Sequence, residues 1–194
     1  MLSNLEKKYN IILGSASPRR KELLNKIINN FKVKVIPINE GAFNYKSNEE
    51  LAMELSFQKS LAFSNSIKDN DLIITSDTIV CINNKALGKA EDKNQAVNML
   101  NKLSDNTHSV FTGITIFTKQ KKHTFFDKTE VTFYKLSKQE INFYIDNFKP
   151  YDKSGAYGIQ EWIGNIGIKE IKGCYYNVMG LPLHKLYREL KKFI

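Results

Sequence analysis

IILGSASPRRKELL, residues 11–24, is the stretch from which the rest of the chain can be placed. Ile11, Ile12 and Leu13 read as a buried strand that stops at Gly14. Two small hydroxyl residues follow, with Ser17 as an N-cap and Pro18 as the first helical residue, where its missing N–H costs nothing. Arg19 and Arg20 then fall in the first helical turn. That end of a helix already carries partial positive charge and ordinarily attracts Asp or Glu, so an anion is expected to compensate. Free backbone N–H groups, hydroxyls at Ser15 and Ser17 and two guanidiniums make a competent polyphosphate cradle. The alternative is a pair of solvated arginines on a surface helix.

Outward from this stretch, Leu23, Leu24, Ile27, Ile28 and Phe31 keep helical spacing, and residues 32–38 alternate as a strand. The start of the chain is therefore a βαβ unit. The expected class is α/β, in one domain spanning residues 1–194, a length that supports a substantial core. The 29 Lys and Arg exceed the 20 Asp and Glu, a formal charge of +9 that favours anionic partners in general. The lysines are scattered rather than blocked, so a nucleic-acid partner is not favoured over a nucleotide. Neither an apolar leader nor a run approaching the ~18 apolar residues of a membrane span is present, which points to a cytoplasmic protein with no membrane partner. Cys81 and Cys174 form no CxxC pair and sit among apolar residues, so buried free thiols are expected. His108, His123 and His184 are far apart in sequence and read as structural or exposed.

Beyond the opening unit, Glu40 follows a strand end and faces either a cleft or solvent. Ser47 and Glu50 form a capping box for a helix from 48 to about 65, whose apolar arc of Leu51, Ala52, Leu55, Ala62 and Phe63 also contains Lys59. That lysine either snorkels out along its stem or turns its ammonium into a polar cleft. Residues 72–82, LIITSDTIVCI, are the most apolar strand candidate, with Asp77 at their centre. A carboxylate is almost never buried without a partner or metal, so either the strand breaks at Ser76 or Asp77 has a special role. Asn83 and Asn84 read as a tight hairpin turn returning through Leu87, Gly88 and Lys89. A helix capped by Asp92 and Gln95 runs to Leu103, strands are expected over 108–118 and 124–136, and Ser137 with Glu140 caps a further helix ended by Pro150. The glycine-dense loop YDKSGAYGIQ, residues 151–160, precedes a short strand around 166–171, the loop GCYYNVMGLP and a last helix from Pro182.

Five of these segments, in order, resemble one family, the Maf nucleoside triphosphate pyrophosphatases. They are SASPRR at 15–20, SDT at 76–78, LGK at 87–89, DKSGAYGIQ at 152–160 and NVMGLPL at 177–183. The resemblance covers nearly the whole chain. It implies an elongated, two-lobed α/β fold with a central mixed sheet flanked by helices, a cleft between the lobes, and kinship with the inosine triphosphate pyrophosphatases. It also implies a homodimer. Carried over by position, it makes Asp77 the general base and Arg19, Thr78 and Gln160 the residues that set nucleotide preference. Arg20, Lys59 and Lys89 match phosphate-binding positions, joining the Ser15 and Ser17 hydroxyls of the cradle, and Glu40 matches an acidic position; chemically, Asp77 and Glu40 would then hold a divalent cation, Mg²⁺ or alternatively Mn²⁺. The GAYGIQ loop resembles the branch acting on dTTP and UTP, with removal of non-standard nucleotides as a further role. Asn39 and Gln58 stand where the family often has acidic residues, which bears on metal coordination and not on the reaction class.

The reaction so implied is attack of water on the α-phosphorus, giving a nucleoside monophosphate and pyrophosphate. It depends on positioning and charge, so no nucleophilic Ser, Cys or His is required. Neither GxxxxGK[ST] nor GxGxxG occurs, which argues against P-loop and dinucleotide-binding alternatives. Two rivals stand: a purine- or inosine-directed pyrophosphohydrolase, and a non-catalytic nucleotide- or nucleic-acid-binding regulator of cell division.

Overall fold

The computed structural model describes residues 2–38 and 46–194, so Asn39 and Glu40 lie outside the described residues. Its elements in chain order are α1 Ser3–Lys8, β1 Asn10–Leu13, α2 Pro18–Asn25, β2 Lys32–Val33, α3 Asn48–Leu61, β3 Asp71–Ile82, β4 Lys85–Leu87 and α4 Lys93–Leu103. There follow β5 Thr107–Phe117, β6 Lys122–Phe133, α5 Lys138–Phe148, α6 Trp162–Gly167, β7 Ile168–Lys172, α7 Tyr175–Val178 and α8 Leu183–Leu190. The strands form a mixed sheet in the order β2-β1-β3-β5-β6-β7, with β4 paired to β3, and helices flank it. The α/β class and the βαβ opening expected from the sequence are both present.

Local chemistry explains the boundaries. Ser17 Oγ accepts from Arg20 N, and Pro18 opens α2 as expected. At α5 the capping box is complete, with Ser137 Oγ taking Glu140 N and the Glu140 carboxylate taking Ser137 N. The two other expected boxes close one residue early. Glu50 reaches Lys46 N, and Gln95 reaches Glu91 N, while Ser47 and Asp92 still cap the backbone three residues on. Asn83 and Asn84 take φ values of 50° and 60°, the left-handed pair that a two-residue hairpin needs.

Three expectations are corrected. The strand over 32–38 shrinks to Lys32–Val33: after Lys34 N bonds Leu13 O, the chain leaves the sheet, and Val33 and Val35 are exposed. Residues 166–171 divide between the end of α6 and the start of β7. Cys81 is buried, but Cys174 is only half-buried at the head of α7. The alternative break at Ser76 does not occur either; β3 runs through it unbroken, and Asp77 lies in mid-strand.

The chain divides into two compact units, each assembled from separated segments. The first comprises Met1–Asp77, Thr112–Asp127 and Gly180–Ile194, and the second Thr78–Phe111 and Lys128–Met179. In the first, β1 pairs in parallel with both β2 and β3, Ile11 opposite Leu72 and Leu13 opposite Ile74. Phe63, Ile73 and Phe117 pack there with Ile12, Ile36 and Ile67. In the second unit's apolar core Leu100 and Leu103 of α4 meet Tyr144 and Ile145 of α5 around Phe133, Tyr157 and Ile163. Among the described residues no helix is long and apolar enough to cross a membrane.

Candidate functional site

In the first unit the position of Asp77 follows from how closely α3 lies on the sheet. A Cβ on Gly113 would meet the Ala52 carbonyl oxygen at 1.9 Å, so a side chain there would hold the helix away. The close approach lets Thr75 Oγ1 donate to Ser56 O at 2.7 Å, while Ser56 Oγ and Thr115 Oγ1 share a hydrogen bond at 3.1 Å. These polar atoms are buried but paired, which keeps them from costing stability. Ser56 and Lys59, three residues apart, share one helical face, and Thr75 and Asp77, two apart, share one strand face. The contact that joins Ser56 to Thr75 therefore also brings Lys59 Nζ to Asp77 Oδ1 in an ion pair, with side chains 21% and 16% exposed. The sequence leaves Lys59 either snorkelling outward or turning its ammonium into a polar cleft; in the structure that ammonium meets the Asp77 carboxylate.

The loop into α2 is tied in the same unit. Ser15 Oγ accepts from Ser17 N at 3.3 Å and from Arg20 Nη1 at 3.2 Å. Each of the Ser15 and Ser17 oxygens acts here as an acceptor, so each hydroxyl keeps its proton for donation. Arg20 Nε donates to Gly180 O at 2.9 Å, and Ser76 Oγ donates to the same carbonyl at 3.2 Å. Two motifs far apart in sequence, SASPRR and NVMGLPL, thus meet at one carbonyl. Gly180 is a positioning residue that sequence reasoning placed only within a motif. Arg19 is half-buried in the first turn of α2.

The second unit carries Thr78, Lys89 and Gln160. Thr78 follows Asp77 along β3 and is half-buried. Lys89 is exposed and forms an antiparallel bridge with Ser154. Ser154 Oγ donates to Leu87 O at 2.5 Å and accepts from Val80 N at 3.0 Å, and Gly155 N donates to Gly88 O at 3.0 Å. Gly155 has φ +71° and sits so close to Val80 that a Cβ would come within 3.0 Å of it. The LGK and DKSG segments are consequently stitched into one piece of backbone.

Gln160 belongs to a side-chain network with Glu161, Lys153, Asp152 and Tyr144, of which Asp152 and Lys153 lie in the DKSGAYGIQ motif while Glu161 had no signal in the sequence. Its Nε2 lies 3.4 Å from Glu161 Oε1. Glu161 also pairs with Lys153 Nζ at 3.1 Å and accepts from Tyr144 OH. Lys153 is buried and holds Asp152 at 2.7 Å as well, while Tyr144 OH accepts from Gly158 N at 3.0 Å. Burial, reinforced by the Glu161 carboxylate, drives the Tyr144 phenol far above its ordinary pKa, so it serves as a proton donor in this bond. Lys153 and Tyr144 lie 8 and 17 residues from Glu161, intervals that no periodicity would single out. His108 is buried, bonds Tyr157 OH at 2.7 Å and has its pKa pushed down to about 4 by desolvation, in keeping with a structural histidine.

Comparison with known proteins bears on both units. The family model described as Maf-like protein matches residues 10–193. A protein of Parabacteroides distasonis named dTTP/UTP pyrophosphatase is 47% identical over 194 residues, covering 100% of each chain. One of Phocaeicola vulgatus with the same name is 48% identical over 193 residues, covering 99% of this chain and 100% of its own. Among solved structures, the Staphylococcus aureus Ham1 protein shares the fold with a TM-score of 0.54 at 15% identity, over 95% of this chain and 100% of that one. Matched from Asn10 to Phe193 by the family model and almost end to end by these relatives, the chain belongs to the family of Maf-like proteins.

Proposed function

We propose that the protein is a nucleoside triphosphate pyrophosphatase that hydrolyses dTTP and UTP to the monophosphate and pyrophosphate. The observation that carries this reading is the Asp77–Lys59 pair, in a chain 47 to 48% identical over its whole length to two proteins named for that activity. Water adds to the α-phosphorus, the bond from that phosphorus to the bridging oxygen breaks, and pyrophosphate departs. In this reading Asp77 orients the water and takes its proton as general base, with its carboxylate aimed by Lys59. Arg20, fixed in orientation by Gly180 and Ser15, binds phosphate together with Lys59, Ser15 and Ser17, and Lys89 is a further phosphate-binding residue in this reading. Arg19, Thr78 and Gln160 set nucleotide preference.

The donor set suits a hard divalent cation. Mg²⁺ is commonly held by one or two carboxylates plus substrate phosphates, and Asp77 supplies one such carboxylate, with Glu40 proposed as the second. Such an ion neutralises phosphate charge when bound. The proposal extends to a cytoplasmic homodimer, supported by the family resemblance; light scattering on the purified chain tests the dimer. For the activity itself, pyrophosphate release is measured from each common nucleoside triphosphate with Mg²⁺ present. UTP and dTTP are expected to lead. A lead for purine or inosine nucleotides would move the assignment to the purine branch, and no release from any of them would refute it.

A further inference from the structure

We propose that Glu161 is a positioning residue that fixes which way round the Gln160 amide faces, and that this makes the site reject cytosine. The inference rests on the base-reading role given to Gln160 above and names the device that enforces it. An ionised carboxylate can only accept hydrogen bonds, so a glutamine amide beside it must present its nitrogen and not its oxygen. Gln160 does so, with Nε2 3.4 Å from Glu161 Oε1. The carboxylate cannot readily turn aside, because Lys153 Nζ and Tyr144 OH hold it, and Lys153 is itself buried.

The consequence is a fixed donor and acceptor order. One N–H of the amide is committed to Glu161, leaving Oε1 and the other N–H as an adjacent acceptor and donor. Uracil and thymine match it, since N3–H donates to Oε1 and a neighbouring carbonyl accepts from Nε2. Cytosine presents N3 as an acceptor and its amino group as a donor, the reverse order. Pairing with cytosine requires an amide flip, which would set Oε1 against the Glu161 carboxylate. Buried groups facing their own kind are left unpaired, and a site built on such pairing discriminates strongly.

The test uses the intact protein, with kcat/KM for UTP and CTP and Kd for their non-hydrolysable α,β-imido analogues. Glu161→Gln can either donate or accept, so it permits the flip, and Lys153 keeps its Asp152 partner at 2.7 Å. The UTP:CTP ratio should fall by about ten-fold, equivalent to 1.4 kcal/mol, mainly through KM and Kd. Glu161→Asp keeps the carboxylate and should retain most of the ratio. If thermal melting shows Glu161→Gln unfolded, Tyr144→Phe replaces it, removing one of the donors to the carboxylate; a fall of about three-fold, a fraction of that 1.4 kcal/mol, is then expected. A ratio within two-fold of wild type in the folded variant overturns the proposal, as does equal binding of the two analogues by the wild type. If the wild type hydrolyses neither nucleotide but binds the analogues selectively, and Glu161→Gln lowers that selectivity, pyrophosphatase activity fails and the Glu161 device stands.

Discussion

Asp77 and Glu161 are carboxylates of similar exposure, 16% and 20%, placed in quite different company. Asp77 stands in the middle of a strand, with Lys59 of α3 as its ion-pair partner among the described residues. Glu161 stands in a loop and takes Lys153, Tyr144 and Gln160 together. A carboxylate surrounded by donors is suited to hold its neighbours still, whereas one aimed by a single ammonium can also engage water or a metal. The same functional group thus has an ion-pair partner in the first unit and a set of hydrogen-bonding neighbours in the second, an arrangement that fits the chemistry proposed for Asp77 and the orientation proposed for Glu161. Exposure alone would not have separated them.

That contrast can be broken most sharply at Asp77. Asp77→Asn keeps the shape of the side chain but removes a base, and should lower pyrophosphate release by about 100-fold or more, the range typical of a lost general base. Activity within about three-fold of wild type would strip Asp77 of that role. Next in size is Gly113→Ala. Its Cβ would need to displace the Ala52 carbonyl, and overpacking of this kind costs roughly 1 to 3 kcal/mol. Because α3 carries Lys59, activity should fall further than stability accounts for, as measured by denaturant unfolding beside kcat. A loss confined to stability would show that the spacing of α3 does not govern Asp77.

The second unit offers a pH test. His108 has a folded pKa of about 4 against an unfolded value of 6.5, so between those values the unfolded chain binds more protons and stability rises with pH. The contribution is complete above pH 6.5 and is lost toward pH 4, at up to about 1.4 kcal/mol per pH unit. His108→Gln should flatten that slope in urea titrations without altering the UTP:CTP ratio, and a steeper slope in the variant would reverse the sign. Smallest is Ser137→Ala, which removes half of a capping box and should cost about 1 kcal/mol. It should leave both carboxylates and the hydrolysis of UTP and CTP untouched, and a fall in the UTP:CTP ratio would mean that α5 has a closer hold on Glu161 than Tyr144 alone supplies.

The parts legible in the sequence were those with local chemistry. Ser17-Pro18, Asn83-Asn84 and Ser137 with Glu140 state their turns and caps in a few adjacent residues, and the structure follows them. Residues 32–38 alternate well enough for a strand, yet β1 is only four residues long and offers partners for two of them. The helix α6 contains two glycines in six residues, a composition that gives little helical signal. Lys59 and Asp77 were each conspicuous, but their pairing depends on the α3 contact at Gly113, 36 residues beyond Asp77. Glu161 was silent, because a network that joins loop residues to Tyr144 of α5 has no period. The resemblance marked Gln160; its contact with Glu161 appears only in three dimensions.

Hydrolysis of UTP in ¹⁸O-labelled water reads directly which phosphorus the water attacks. Mass spectrometry of the products should find the label in UMP, with unlabelled pyrophosphate. Label in pyrophosphate, or release of UDP with labelled inorganic phosphate, would place the attack on another phosphorus and contradict the account.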